Sequence, residues 1–256
     1  MKKLFFILLF LISCNSFSQK ENYKYVDENF NSISFIKFKK KIDSQLFDFT
    51  ISNLDTIIYK KLRYKEFYGN LKTKNAQLKK LFLKRNQIDT TKAWLIHVLD
   101  TLPDIKDMPK ISGIELLDSL NKPTGIFISS KDFKKNFKKY FSKNHKHVLN
   151  AQDYIKRIED EKSKIGDNSE LIHLYNYNKG IPLDVLKRNN YFNDENFLIK
   201  KIFSDGIIKY QTIIIHPNGE FYVSMFGQFD KEMKLLNKNK FDKHKKSWFK
   251  KILKLD

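Results

Sequence analysis

The sequence predicts an α/β protein, with an α+β arrangement as the alternative. Of the 256 residues, 41% are hydrophobic and 14% aromatic, which is enough to fill a packed core. Proline (5) and glycine (8) are scarce, which argues against long flexible linkers. Stretches with apolar residues at helical spacing alternate along the chain with short apolar runs typical of strands. This alternation indicates helices and strands interleaved in one fold.

The N-terminus has the features of an export signal. Lys2 and Lys3 precede an unbroken apolar run from Leu4 to Ile12. A membrane span needs about 20 apolar residues, so this run is too short to cross a bilayer. A positive start and a short apolar core are typical of a cleavable signal peptide. We therefore expect an exported protein.

Two cleavage sites compete in this signal. The segment Leu11–Cys14 resembles the bacterial lipobox, and this resemblance implies removal of residues 1–13 and lipidation of Cys14. Alternatively, the small residues Ser16 and Ser18 favour removal of residues 1–18 and a soluble product. Cys14 is the only cysteine, so thiol–disulfide oxidoreductase activity is excluded.

Residues 20–125 are predicted to form a mixed α/β region. Ser34 is placed to cap a helix that ends near Lys41, with Phe35 and Phe38 turned inward. The other elements predicted here are a strand at 45–51, a helix at 73–86 and a buried strand at 93–99.

Residues 100–125 are predicted to contain a domain boundary or a long irregular crossing. Prolines and glycines concentrate in this segment, namely Pro103, Pro109, Gly113, Pro123 and Gly125. The segment also carries three carboxylates directly after the buried strand at 93–99. Asp100, Asp104 and Asp107 could hold Ca²⁺, although turn and capping roles suit their spacing better.

Residues 126–240 are predicted to form a C-terminal α/β region. A helix is expected from Ser129 or Ser130 to Tyr140. The order βαβαββα follows, from strands at 147–149, 170–177, 210–216 and 220–226 and helices at 151–164 and 229–236. The helix between the second and third strands opens at Pro182, with more helix expected between Glu195 and Phe203. Pro217-Asn218-Gly219 joins the last two strands as a hairpin turn, with glycine supplying a positive φ.

The segments Thr212–Gly219, Phe221–Val223 and Gly227–Glu232 resemble the C-terminal half of bacterial thioredoxin-like periplasmic proteins. Those proteins also end in strand, turn, strand, glycine and a helix that begins with acidic residues. The resemblance implies a thioredoxin-like fold. It departs at Gln211, where the family has a cis-proline, and at His216, where it has a turn aspartate. Without a Cys-x-x-Cys motif, the family's redox chemistry is not implied.

The formal charge of +20 points to anionic partners only weakly. Just four of the 49 basic residues are arginine, and this lysine-rich composition is typical of an AT-rich genome. Proteins that recognise nucleic acid favour arginine for its bidentate hydrogen bonds. A nucleic-acid partner is therefore disfavoured, whereas an anionic envelope polymer or lipid surface remains a candidate.

Candidate chemistry rests on histidines and one aspartate. His97 and His173 lie in apolar strands and Asp100 follows the first of these, so the three are candidate catalytic residues. The alternative is that both histidines are hydrogen-bonded core residues. His145 and His147 point the same way on a strand and are candidate metal ligands, or else solvated edge residues. No cofactor motif is present, so no cofactor is predicted.

The basic tail 241–256 is predicted to form a helix from Ser247. Trp248, Phe249, Ile252 and Leu253 would line one face and lysines the others. This pattern suits an interfacial membrane helix or a terminal helix docked on the core.

Together these features predict a lipid-anchored envelope protein, held to a membrane through Cys14. A non-catalytic interaction or scaffold module is the leading hypothesis, with an envelope protein or anionic polymer as partner. The alternatives are a metal-dependent or hydrolytic periplasmic enzyme and an electrostatic binder of anionic envelope surfaces.

Overall fold

The computed structural model describes residues 23–54, 57–86, 88–137, 144–194, 198–203 and 210–255. The predicted signal peptide and Cys14 lie outside these residues. The α/β class is confirmed, because helices alternate with strands that pair into several sheets. The described residues divide into two compact units. The first unit joins the chain up to Lys65 with the segment from Phe249 onward, and the second unit is Glu66–Trp248.

The strands are β1 (Tyr23–Val26), β2 (Phe47–Leu54), β3 (Ile57–Tyr64), β4 (Glu66–Asn70), β5 (Ala93–Val98), β6 (Thr101–Leu102), β7 (Gly113–Leu117), β8 (Pro123–Ile128), β9 (His145–Val148), β10 (Ser169–Tyr175), β11 (Tyr177–Asn178), β12 (Tyr191–Asn193), β13 (Thr212–Ile215) and β14 (Glu220–Ser224). The α-helices are α1 (Phe35–Asp43), α2 (Lys74–Asn86), α3 (Ser130–Asp132), α4 (Ala151–Ser163), α5 (Leu183–Arg188), α6 (Leu198–Phe203), α7 (Phe229–Leu235) and α8 (Lys238–Ile252). A 3₁₀ turn covers Ile105–Asp107, and a π-helix, Phe133–Phe137, continues α3.

The first unit contains α1 and a three-stranded sheet with the strand order β1-β3-β2. The Ser34 hydroxyl accepts a hydrogen bond from the Lys37 amide at 3.2 Å, which confirms the predicted N-cap. Phe38 is buried as expected. The inward orientation predicted for Phe35 is wrong, because its side chain is 55% exposed. Phe35 lies in the first turn, where it reaches only as far as the ring of Tyr25 at 5.2 Å.

The second unit is built on a six-stranded sheet with the order β12-β10-β5-β13-β14-β4. Strands β12, β10 and β5 are parallel, whereas β13, β14 and β4 pair antiparallel. The central strands are almost wholly apolar, so both faces of the sheet are covered. Leu78 and Phe82 of α2 pack into the cluster that contains Ile96, Ile172 and Ile213. The predicted hairpin joins β13 to β14, with Gly219 at φ 85°.

The predicted strand at 147–149 is present but does not belong to the large sheet. This strand, β9, joins β8 and β7 in a separate three-stranded sheet, and the neighbour of β10 is β5. The sequence of β9 is His-Lys-His-Val, which cannot fill a position buried on both faces. The sequence Ala-Trp-Leu-Ile of β5 can, and all four side chains are buried. The large sheet thus draws strands from both sides of residue 125, which lies inside the second unit.

The C-terminal helix is longer than predicted, and only part of its apolar face is buried. It begins at Lys238 instead of Ser247. Trp248 and Ile252 are buried, but Phe249 is 43% and Leu253 75% exposed. Each pair is four residues apart, so the two pairs form adjacent stripes about 100° apart, and only one stripe is covered. Among the described helices, none combines the length and apolar character that crossing a membrane requires.

Candidate functional site

Six polar side chains lie in one row across the large sheet of the second unit. Strand register pairs Tyr191 with His173, His173 with His97 and His97 with Thr212, and it continues from Thr212 to Ser224 and from Ser224 to Glu66. Directly paired residues point to the same face of a sheet, so all six share one face. A row of polar groups inside an apolar sheet is costly unless the groups bond to one another or to a ligand.

The row lies where β5 and β10 end. Both strands carry the tripeptide Leu-Ile-His, at Leu95–His97 and Leu171–His173, and parallel pairing aligns the two copies residue by residue. The two imidazole rings therefore lie side by side, with centroids 5.2 Å apart. In open α/β sheets, ligands bind outside the carboxyl ends of the parallel strands.

Glu232 forms a hydrogen bond with His97, the first of these two histidines. It belongs to the first turn of α7, is 1% exposed, and approaches Nε2 of His97 with Oε2 at 3.2 Å. Its Oε1 accepts hydrogen bonds from the Thr212 hydroxyl at 2.6 Å and from the Gln228 amide at 2.8 Å. Burial alone would raise the pKa of Glu232, but the bonds from His97, Thr212 and Gln228 outweigh it and lower the pKa. A buried, ionised Glu232 therefore orients the His97 ring.

His173 is the buried member of the pair. Its side chain is 2% exposed and stacks on Tyr191, with ring centroids 4.1 Å apart and planes at 16°. Among the described residues, its Nε2 has no hydrogen-bond partner. An unpaired buried polar atom costs about 1–3 kcal/mol. Burial, with a smaller effect from His97, lowers the pKa of His173 to about 3, so the ring is neutral near pH 7.

Glu161 completes a group of possible metal ligands. Tyr154, Ile158 and Glu161 follow one another at spacings of four and three on α4, so they share one helix face. Arg157 Nε donates to Glu161 Oε1 at 3.0 Å, which orients the carboxylate. One donor atom from each of His97, Glu161 and His173 lies within 4.8 Å of the others. Neutral imidazoles and a carboxylate are suitable ligands for Zn²⁺ and similar divalent ions.

A cleft of about 1070 Å³ opens over this group. Its lining includes His97, His173, Glu161, Glu232 and, at the end of β5, Asp100. Five carboxylates but only three basic side chains line it: Asp100, Asp153, Asp160, Glu161 and Glu232 against Lys156, Arg157 and Lys164. The whole chain has the opposite balance, 49 basic to 29 acidic residues. The local reversal of charge favours a cationic ligand.

The structure brings the three candidate catalytic residues of the sequence together, since His97, His173 and Asp100 all line the cleft. Of the candidate metal pair, His147 also lines it, while the ring of His145 packs on Phe133 at 4.6 Å. Within the described parts of the chain, neither belongs to a group of three close donors.

The Ca²⁺ hypothesis for the aspartates after β5 gains no support. Asp104 caps the 3₁₀ turn, accepting from the Lys106 amide at 3.0 Å, and Asp107 belongs to that turn. Asp100 instead faces the cleft. The three carboxylates therefore serve different local purposes.

Sequence reasoning missed Glu161, Glu232 and Thr212. Two signals were available: the repeated Leu-Ile-His tripeptide, and a glutamate that continues the apolar stripe of α4. The helix dipole by itself accounts for an acidic residue in the first turn of a helix, and the burial of Glu232 follows only from the packing of α7.

No family model, curated protein or solved structure matches the chain. The site is therefore interpreted from its own geometry.

Proposed function

We propose that this protein is an exported hydrolase that binds a divalent metal ion of the zinc class through His97, Glu161 and His173. One observation carries the proposal: the three donor atoms converge within 4.8 Å, and the buried Nε2 of His173 has no partner among the described residues. A metal ion would complete the bonding of that nitrogen.

The chemistry follows from the number of ligands. Two histidines and one carboxylate leave at least one position open, as in catalytic zinc sites. A water molecule bound there would have its pKa lowered to about 7 and would supply hydroxide at neutral pH. In hydrolysis the water oxygen bonds to the electrophilic atom of the substrate, and the leaving group departs with a proton. No thiol or redox partner is required.

Glu232 would support the site without touching the ion. It engages Nε2 of His97, which leaves Nδ1 of that ring as the metal ligand. A carboxylate behind a metal-binding histidine fixes the orientation of the ring and raises its basicity. We therefore assign Glu232 a positioning role.

We also propose that the second unit has a thioredoxin-like fold. The order β10-β5-β13-β14, with the first two strands parallel and the last two antiparallel, followed by α7, supports the resemblance. The first strand of this arrangement is then β5. Gln211, at the position of the family's cis-proline, lines the same cleft. In this chain the cleft would carry histidines and carboxylates in place of thiols.

Export and lipidation of Cys14 remain part of the proposal, supported by the apolar N-terminal run and the lipobox-like segment.

Metal binding by the purified mature chain is the first test. We expect about one Zn²⁺ per chain by elemental analysis and calorimetric titration, with affinity lowered at least about 100-fold in His173→Ala. Glu232→Gln should lower affinity about 10- to 100-fold, since it removes only the carboxylate behind His97. The matched control is Glu220→Gln. Glu220 bonds to Lys238 at 2.6 Å, does not line the cleft, and should leave Zn²⁺ affinity unchanged.

Hydrolysis is tested separately with a panel of ester, amide and phosphate substrates. Activity that disappears with a chelator, returns with Zn²⁺ and is lost in Glu161→Gln supports the proposal. Absence of stoichiometric metal, or equal loss of affinity in Glu220→Gln, would refute it. Tight binding of iron instead of zinc would refute hydrolysis as the proposed reaction and favour oxygen activation.

A non-catalytic interaction module is the second candidate function. One observation favours it: β8 pairs on one side with β7 and exposes Ile126 (54%) and Phe127 (41%). Open strand edges with apolar side chains bind extended segments of partner chains. A metal-free protein without hydrolytic activity would leave this candidate standing.

A further inference from the structure

The first unit exposes large apolar side chains at two places. Ile36 at the start of α1 is 80% exposed and its neighbour Phe35 is 55% exposed. Near the C-terminus, Leu253 is 75% and Phe249 43% exposed. Phe30 (46%) and Ile51 (59%) of the same unit are also exposed, at separate positions. Single exposed apolar residues are ordinary, but two such pairs in one small unit indicate a contact surface.

A direct contact joins the two places. Lys40 Nζ donates to the backbone carbonyl oxygen of Leu255 at 3.3 Å. Ile36 lies one helical turn before Lys40, and Leu253 lies two residues before Leu255. We call Phe35, Ile36, Phe249 and Leu253, with the lysines between them, the apolar–lysine surface.

Exposed lysines surround these apolar side chains. In α1 they are Lys37, Lys39 and Lys40, and Asp43 is the only acidic residue of the helix. The segment 249–255 has Lys250, Lys251 and Lys254, all exposed, and no acidic residue. The cores of protein interfaces are depleted in lysine. An anionic bilayer accepts both groups, because apolar side chains insert below the headgroups and lysines remain among them.

We infer that the apolar–lysine surface docks on an anionic phospholipid bilayer. This inference is independent of the metal site. The position of the unit in the chain supports it, since β1 begins nine residues after Cys14. Nine residues reach at most about 30 Å, so a lipid on Cys14 would hold the first unit close to the same bilayer.

The test uses the unlipidated mature chain that begins at Gln19, so that the lipid makes no contribution. We expect it to sediment with phosphatidylcholine vesicles that contain one third phosphatidylglycerol, and to bind pure phosphatidylcholine at least about tenfold more weakly. Raising the salt concentration should weaken binding to the anionic vesicles.

Two variants and one control locate the surface. Ile36→Ser/Leu253→Ser removes apolar side chains and Lys37→Glu/Lys40→Glu reverses charge; each should lower vesicle affinity at least about tenfold. Leu120→Ser/Ile126→Ser removes side chains that are 72% and 54% exposed in the second unit and should bind as wild type. Circular dichroism checks that each variant is folded.

Three outcomes would overturn the inference. They are no binding to anionic vesicles, the same loss of binding in the control pair, and self-association that Ile36→Ser/Leu253→Ser abolishes while vesicle binding persists.

Discussion

At the scale of single residues, His173 is the most unusual side chain of the site. It is buried, stacked on Tyr191 and leaves Nε2 without a partner among the described residues. Apolar strands accept a histidine at such a position only in its neutral form, because burial disfavours the charged ring. A neutral imidazole is also the form that binds metal ions. The burial that makes the His173 ring destabilising therefore also keeps the ring in the neutral form that can bind a metal ion.

The buried ring makes folding stability depend on pH. The pKa of His173 falls from its ordinary 6.5 to about 3 on folding, so between these values only the unfolded chain takes up the proton. This contribution to stability is complete above pH 6.5 and is lost as the pH falls toward 3. From pH 7 to pH 5 we expect it to lower the free energy of unfolding by about 2 kcal/mol.

Denaturant unfolding at these two pH values, with a chelator present, measures the effect. His173→Leu cannot take up the proton and should lose about 2 kcal/mol less than wild type over this range. Equal pH dependence in wild type and His173→Leu would contradict the prediction.

At the scale of elements, β4 forms one edge of the large sheet and places a glycine beside an aromatic ring of β14. Gly69 pairs with Phe221 of β14, and the ring lies where a β-carbon at Gly69 would be. Phe67 and Phe203 hold the ring in place, with centroids 5.7 and 5.1 Å from that of Phe221. The pairing register of β4 with β14 therefore requires a residue without a side chain at position 69.

Gly69→Ala should lower the free energy of unfolding by about 1–3 kcal/mol, because the added methyl group overlaps a ring that cannot move freely. The matched control is Gly166→Ala, where a β-carbon meets no atom within 4 Å. That change should stay within about 0.5 kcal/mol of wild type. Denaturant unfolding compares the two, and an equal effect would show that the contact with Phe221 does not limit stability.

The helices, strands and turns that depend on local sequence patterns were predictable from the sequence. The helix at 74–86, the strand at 169–175 and the hairpin around Gly219 follow from periodicity and turn chemistry. The neighbour of β10 was not predictable in this way, because pairing joins residues more than seventy positions apart. The exposure of Phe35 was missed for a related reason, since helical spacing defines a stripe but not how much of it is covered.

At the scale of the whole molecule, the proposed export and lipid anchoring depend on how the N-terminus is processed. If the lipobox-like segment is used, mass spectrometry of the mature protein from a bacterial host should find acylated Cys14 as its first residue. Cys14→Ser should abolish acylation.

Ser18→Leu is the control, because it blocks only the alternative cut and should leave the acylated product unchanged. A wild-type product that begins with free or cyclised Gln19 would contradict lipidation and leave a soluble exported protein.

The sequence by itself determined the α/β class, most helices and the central strands β5, β10, β13 and β14, because these depend on local periodicity and on composition. It also identified His97, His173 and Asp100, but only as separate candidates. Tertiary structure alone decided that the two Leu-Ile-His copies align, that Glu161 and Glu232 join them, and that a cleft opens above. The physical reason is that a site depends on distances between side chains from distant segments, and those distances exist only once the strands have paired.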